Sequence, residues 1–284
     1  MIRNPAVTGA FYEADPDSLT KQIEGCFKHQ LGPGRVPESI GNSRLIKSII
    51  APHAGYMYSG PVAAHSYKKL AEDGLPETFI ILCPNHTGMG SGVSTVTEGQ
   101  WKTPMGLVDI DGEFAERLMG NAPIIDQDPV AHMQEHSCEV QVPFIQYLAQ
   151  TAGKEFKMVP ISMWMQDLIT ATEIGNAVAQ TSKQLDRDVV IVASTDFTHY
   201  KPYDIAYNND HQVLDAIKAL DEKAVMNRVE ELNVTMCGFG PVNAAIIYSK
   251  QMGAEEVEVL KYATSGDITG DKSAVVGYAA AVIK

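Results

Sequence analysis

Basic residues are scarce: the 284-residue chain carries 22 Lys+Arg against 35 Asp+Glu, a net charge of −13. That balance argues against nucleic acid and anionic membrane as partners, because both need a basic field to release counterions or reach headgroups. Only six of the cations are arginines, and they are scattered, which makes a phosphopeptide dianion an awkward ligand. The four cysteines lie far apart with no CxxC pair, a spacing that fits neither a disulfide framework nor a zinc ribbon. Long apolar runs are missing as well. The longest stretches free of Asp, Glu, Lys and Arg, Ser48–Tyr67 and Thr78–Thr97, carry His, Pro, Gly and Asn where lipid tails would want Leu and Ile. No basic segment followed by an apolar run opens the chain, so no signal peptide is expected. A soluble, cytoplasmic protein is the expectation.

No linker, repeat or low-complexity tract divides the sequence, and one domain over residues 1–284 is expected. Short, β-branched apolar runs recur at Leu45–Ala51, Thr78–Pro84, Phe156–Ser162, Asp188–Thr195, Val257–Thr264 and Ala274–Ile283; they read as buried strands. Helical spacing fills Ser18–Gln30, Pro61–Glu72, Ser137–Thr151, Leu168–Leu185, Tyr207–Leu220 and Pro241–Met252. Asp15-Pro16 offers an N-cap followed by proline at the first helical position. Gly92–Ile110 reads as a pair of shorter strands joined near Trp101–Gly106. The alternation predicts an α/β fold with a central mixed, largely parallel sheet flanked by helices.

Three predicted strands end alike: one runs into His53, one into Asn85-His86, and one into Asp196 and, three residues later, His199. Open α/β sheets bind ligands at the carboxyl ends of their strands. A single such His would more simply bond a local carbonyl; three in the same context argue for one shared crevice, provided the strands are neighbours. His and Asp can act there as metal ligands, as a base with its orienting carboxylate, or as both.

Cys237 precedes Gly238-Phe239-Gly240-Pro241 and an apolar segment read as a helix beginning at the proline. A helix N-terminus favours thiolate, so Cys237 is either a ligand or nucleophile or an inert buried thiol. Cys26, Cys83 and Cys138 sit in apolar settings and read as inert. Glu135-His136-Ser137-Cys138-Glu139 opens a predicted helix with Ser137 as a plausible N-cap; it is not an HExxH zinc signature. Ser265–Asp271 reads as a turn. P-loop, dinucleotide-loop and G-x-S-x-G patterns are missing.

Taken together, NPAVTGAFYEADPDSL, APHAGYMYSG, PNHTG, EHSCEVQVPF, STDFTHY, MCGFGP and SGDITGDKSAVVGYAA resemble the Memo family, whose archaeal and bacterial members are labelled AmmeMemoRadiSam system protein B. The resemblance spans Asn4 to Ala281. It implies a domain like that of the class III extradiol dioxygenases, which hold non-haem iron through two His and a Glu. It further implies a metal pocket of His53, His86 and Cys237, the cysteine standing where the dioxygenases have Glu. Asp196 and His199 line the same pocket, His199 as acid/base and Asp196 as its orienting partner. Phe11, Tyr58 and His136 are placed on the substrate side, Phe11 replacing a Trp of the eukaryotic members. Iron or copper is the implied cofactor, with zinc a third option because thiolate is softer than carboxylate.

Two functions follow from the resemblance. One is a metal-dependent redox protein, an oxidoreductase of unidentified substrate, with a dioxygenase-like pocket; its ligand is a small molecule or peptide, and the family label implies a pathway link to a radical-SAM protein. The other is a non-enzymatic adaptor that uses the ancestral pocket to recognise a peptide or partner.

Overall fold

The computed structural model describes residues 1–284. All six β-branched runs fold as strands, joined by shorter ones. In chain order the strands are β1 (Ile2–Arg3), β2 (Ser48–Ala51), β3 (Thr78–Pro84), β4 (Val93–Thr95), β5 (Gln100–Thr103), β6 (Gly106–Ile110), β7 (Asp126–Gln127), β8 (Lys157–Met163), β9 (Val189–Ser194), β10 (His199–Lys201), β11 (Val257–Thr264) and β12 (Val275–Ile283). One sheet takes the order β1-β5-β6-β8-β3-β9-β2-β12-β10, with β11 on β12 and β4 bridging β7 and β8. From β6 to β2 every neighbouring pair is parallel, whereas β12 runs antiparallel to β2. The sheet is mixed and largely parallel, as expected.

Strands β2, β3 and β9 are buried along their whole length, the mark of a parallel sheet covered on both faces. Alternation then sorts their side chains. Ile80, Leu82 and Ile191 enter one core with Ile174, Val178 and Ile246; Phe79, Ile81 and Val192 enter the other with Ile23, Leu70 and Phe144. In the second core Phe144 stacks on Tyr67 at 4.8 Å; truncating Phe144 to Ala removes on the order of 3–5 kcal/mol.

The first core is covered by α3 (Gly112–Asn121), α6 (Leu168–Leu185), α7 (Tyr203–Lys218), α8 (Glu222–Glu231) and α9 (Phe239–Gln251); the second by α1 (Pro16–Lys28), α2 (Tyr56–Asp73) and α5 (Val142–Ala152). Two short helices, α4 (Val130–Met133) and α10 (Ser265–Thr269), complete the set. No helix is long and apolar enough to cross a membrane.

Asp15 caps α1, accepting from the Ser18 N–H, with Pro16 in the first turn. Four readings need correction. Helix α2 begins at Tyr56 and holds Pro61 inside it, where the ring forgoes one backbone hydrogen bond in the second turn. Ser137 does not cap a helix: its hydroxyl contacts Glu135 and the Pro84 carbonyl, and a 3-10 turn at Glu139–Gln141 precedes α5. Ser265–Thr269 is helical because Thr264 and Asp267 form a capping box. The cysteine spacing also misleads, since Cys83 and Cys138 form a disulfide with Cα atoms 5.4 Å apart. Tertiary packing brings the chain after His136 against β3, a proximity that spacing along the chain cannot reveal.

Candidate metal centre

Strands β3, β9 and β2 are consecutive in the sheet, so the condition for a shared crevice holds. Just past their carboxyl ends lie His86, Asp196 and His53. The imidazoles of His53 and His86 have centroids 5.3 Å apart. Cys237 arrives from the entry to α9, its Sγ 3.3 Å from His53 Nε2. A donor atom from each of His53, His86 and Cys237 lies within 4.8 Å of the others, a two-nitrogen, one-sulfur group suited to a late first-row metal.

Gly238 makes the approach of Cys237 possible. A Cβ at that position would lie 2.4 Å from the Ser194 carbonyl oxygen and 2.7 Å from Thr195 Cβ, so only glycine lets the loop close on the end of β9. Backbone bonds then fasten it: Cys237 N–H donates to the Asp196 carbonyl at 3.2 Å, and Asp196 N–H donates to Cys237 Sγ at 3.1 Å. Burial of the thiol opposes the pull of the helix N-terminus toward thiolate. Removal from solvent pushes the Cys237 thiol well above its usual range, and the nearby Asp196 carboxyl pushes it further.

Each histidine is anchored through Nδ1. His86 Nδ1 lies 3.0 Å from Glu135 Oε1. Glu135 is fully buried but also accepts from the backbone N–H of His86 and from Ser137. Burial acts against its ionisation, yet the hydrogen bonds and charge of His86, helped by backbone donors, hold its carboxyl down at about 2. An ionised carboxylate only accepts, so the His86 Nδ1–H points at Glu135 and Nε2 is the nitrogen left free for another partner. His199 Nδ1 similarly donates to the Thr235 carbonyl at 2.8 Å. The expected orienting partner of His199, Asp196, is engaged elsewhere: its Oδ1 accepts from the His53 N–H at 2.9 Å. A bulge turns His199 at the edge of the sheet, with Tyr200 at φ 59°. Burial, then the charges of His136, His86 and His199, keep His53 far below its ordinary value, hence neutral. Burial raises Asp196 to about 6, although the His53 N–H and the histidines pull against it.

Of the residues expected on the substrate side, His136 stacks on His86 at 4.7 Å and Phe11 lies 4.9 Å from His136. Tyr58 packs with the small cluster around Val62, Ala263 and Tyr278. Sequence reasoning overlooked Glu135, Ser194 and Thr235 as partners of the imidazoles, and Gln141 as the partner of Ser194; polar residues of these types carry no local signal of that role. A concavity of about 450 Å³ lies at the opposite end of the sheet, among Glu77, Leu107, Lys157 and Arg187, and its lining holds neither His nor Cys.

Fold and site together define an α/β protein with a His-His-Cys donor group at the carboxyl edge of three adjacent parallel strands. The model of the family described as Memo-like protein matches residues 3–282, and the chain belongs to that family. It is 56% identical over 279 residues to a MEMO1 family protein of Methanothermobacter thermautotrophicus, covering 98% of this chain and 99% of that one. A MEMO1 family protein of Methanopyrus kandleri is 54% identical over 284 residues, covering 100% of this chain and 99% of the other. Among solved structures, an uncharacterized protein of Escherichia coli K12 shares the fold with a TM-score of 0.57 at 14% identity, over 84% of this chain and 99% of that one.

Proposed function

We propose that the chain is a metal-binding protein that holds iron or copper for redox chemistry, or else redox-inert zinc, through His53, His86 and Cys237. The carrying observation is the convergence of their three donor atoms within 4.8 Å, two of them on imidazoles whose Nδ1 is already bonded to another group. Ligating histidines usually have just such a second partner, which fixes ring and tautomer. Bound there, iron or copper supplies redox and Lewis-acid chemistry.

The remaining residues have distinct tasks. Glu135 orients His86. His199, steadied by Thr235, exchanges a proton at Nε2 with a bound ligand. His136 and Phe11 form an aromatic wall for a small organic molecule. The redox reading stands ahead of the adaptor reading because no arginine cluster faces this crevice to recruit an acidic peptide. We place the protein in the cytoplasm, and a pathway link to a radical-SAM protein belongs to the same proposal.

Metal-free protein is titrated with iron(II), copper(I) and zinc(II), then screened for oxygen consumption with reductants and catechols. The reading expects one metal per chain, and turnover that falls in His199→Ala while bound metal stays near wild type. Loss of metal and turnover in equal measure would make His199 a ligand instead. No uptake of any of the three metals would overturn the reading.

A further inference from the structure

Behind His53 lies a chain of buried polar groups whose donors and acceptors can be assigned one after another. Gln141 Nε2 is 3.1 Å from the Pro52 carbonyl, and its Oε1 is 2.6 Å from the Tyr67 hydroxyl. A carbonyl only accepts, so the amide has one workable orientation and Nε2 is the donor. The second Nε2 proton goes to Ser194 Oγ at 2.7 Å. Ser194 Oγ also lies 2.7 Å from the Ser137 carbonyl and 2.8 Å from His53 Nδ1. A hydroxyl has one proton and two lone pairs. Its proton belongs on the Ser137 carbonyl, which only accepts and would otherwise lose this partner inside the protein. Both lone pairs then accept, one from Gln141 and one from His53.

We infer that Ser194 and Gln141 are positioning residues that hold His53 in its Nδ1–H form, so that its Nε2 lone pair faces Cys237 Sγ. Tyr67 stands behind them, fixing the Gln141 amide. His53 and His86 therefore present the same nitrogen to the crevice by different means, one through a neutral serine–glutamine pair and the other through the buried Glu135 carboxylate. Metal affinity would depend on a residue that never touches the metal. This inference rests on His53 being a ligand, but the form of its ring can be read without any metal.

The test uses metal-free full-length protein with ¹⁵N-labelled histidine, the His53 signals being assigned by their loss in His53→Gln. Long-range ¹H–¹⁵N correlation near neutral pH should show His53 protonated at Nδ1 and bare at Nε2. Ser194→Ala should move the proton to Nε2 and weaken zinc(II) binding about 10–100-fold. Ser194→Thr, which keeps the hydroxyl, should restore both. Gln141→Leu should mix the two forms and weaken zinc(II) in the same direction, a change that a purely structural role, visible only as a lower Tm, would not produce. A His53 proton on Nε2 in wild type overturns the inference and needs no variant to be folded. So does an unchanged ring form in both Ser194→Ala and Gln141→Leu. A wild-type protein that takes up no zinc(II), iron(II) or copper(I) overturns the metal reading instead, and the ring form still decides the role of Ser194 and Gln141.

Discussion

Cys237 Sγ stands 3.3 Å from His53 Nε2 across 184 residues of chain. Nothing local brings them together. His53 is carried there by the end of β2, and Cys237 by a loop that closes against β9 because residue 238 lacks a side chain. Gly238→Ala should therefore push that loop off the strand. We expect a stability loss of about 1–3 kcal/mol from the overpacking and at least a tenfold loss of metal affinity, measured by denaturant unfolding and metal titration. A variant with both values near wild type would remove the glycine from the account.

Buried His132 gives stability a pH dependence unrelated to the metal group. Neither ring nitrogen has a hydrogen-bond partner, and burial, reinforced by the Arg3 charge, lowers the imidazole to about 4. The unfolded chain therefore binds a proton there more readily than the folded one, so the contribution of neutral His132 is intact above about pH 6.5 and drains away as pH falls toward 4. The full loss is on the order of 3 kcal/mol. His132→Phe should flatten the stability profile across that window, as read from urea unfolding at a series of pH values; an equally steep profile would refute the assignment.

Arg3 ties the N-terminal segment to the site. Its guanidinium pairs with buried Glu139 and donates to the His132 and Glu135 carbonyls, while Glu139 also accepts from Ala6, Val7 and the Tyr12 hydroxyl. Arg3→Met leaves that carboxylate without its cation, a change worth about 3 kcal/mol. Hydrogen exchange should speed up through Ala6–Tyr12, with Phe11 released from His136. Unaltered exchange in that segment would show that the backbone donors suffice.

The Cys83–Cys138 disulfide joins the strand leading to His86 with the segment carrying Glu135 and His136. Peptide mapping without reductant should recover the two as one cross-linked species, leaving Cys26 and Cys237 as the free thiols. Cys83→Ala should cost about 2–4 kcal/mol. Four free thiols in freshly purified protein would contradict the pairing.

The sheet and the histidine-bearing strand ends were legible because both rest on local pattern: fully buried strands must be apolar throughout, and their polar ends stand out. Tyr203–Lys218 and Glu222–Glu231 differ in this respect, since the second is short and polar, its buried stripe reduced to Val225 and Val229. The partners of the imidazoles were illegible for a further reason. Ser194 sits within an apolar strand and Gln141 in a short turn, and each matters only through contacts with residues more than 50 positions away. Thr235, not Asp196, steadies His199 because the Asp196 carboxylate turns back to the His53 amide; the three-residue spacing of Asp196 and His199 gave no hint of this.

The central claim is that His53, His86 and Cys237 hold a metal ion. It is tested most directly by elemental mass spectrometry on wild type and the His53→Ala/His86→Ala double variant, both purified without chelator or metal-affinity tag and both shown to be folded by circular dichroism. The account predicts about one iron or copper ion per wild-type chain, or zinc in their place, and almost none in the double variant. Equal, stoichiometric metal in the two proteins would contradict it.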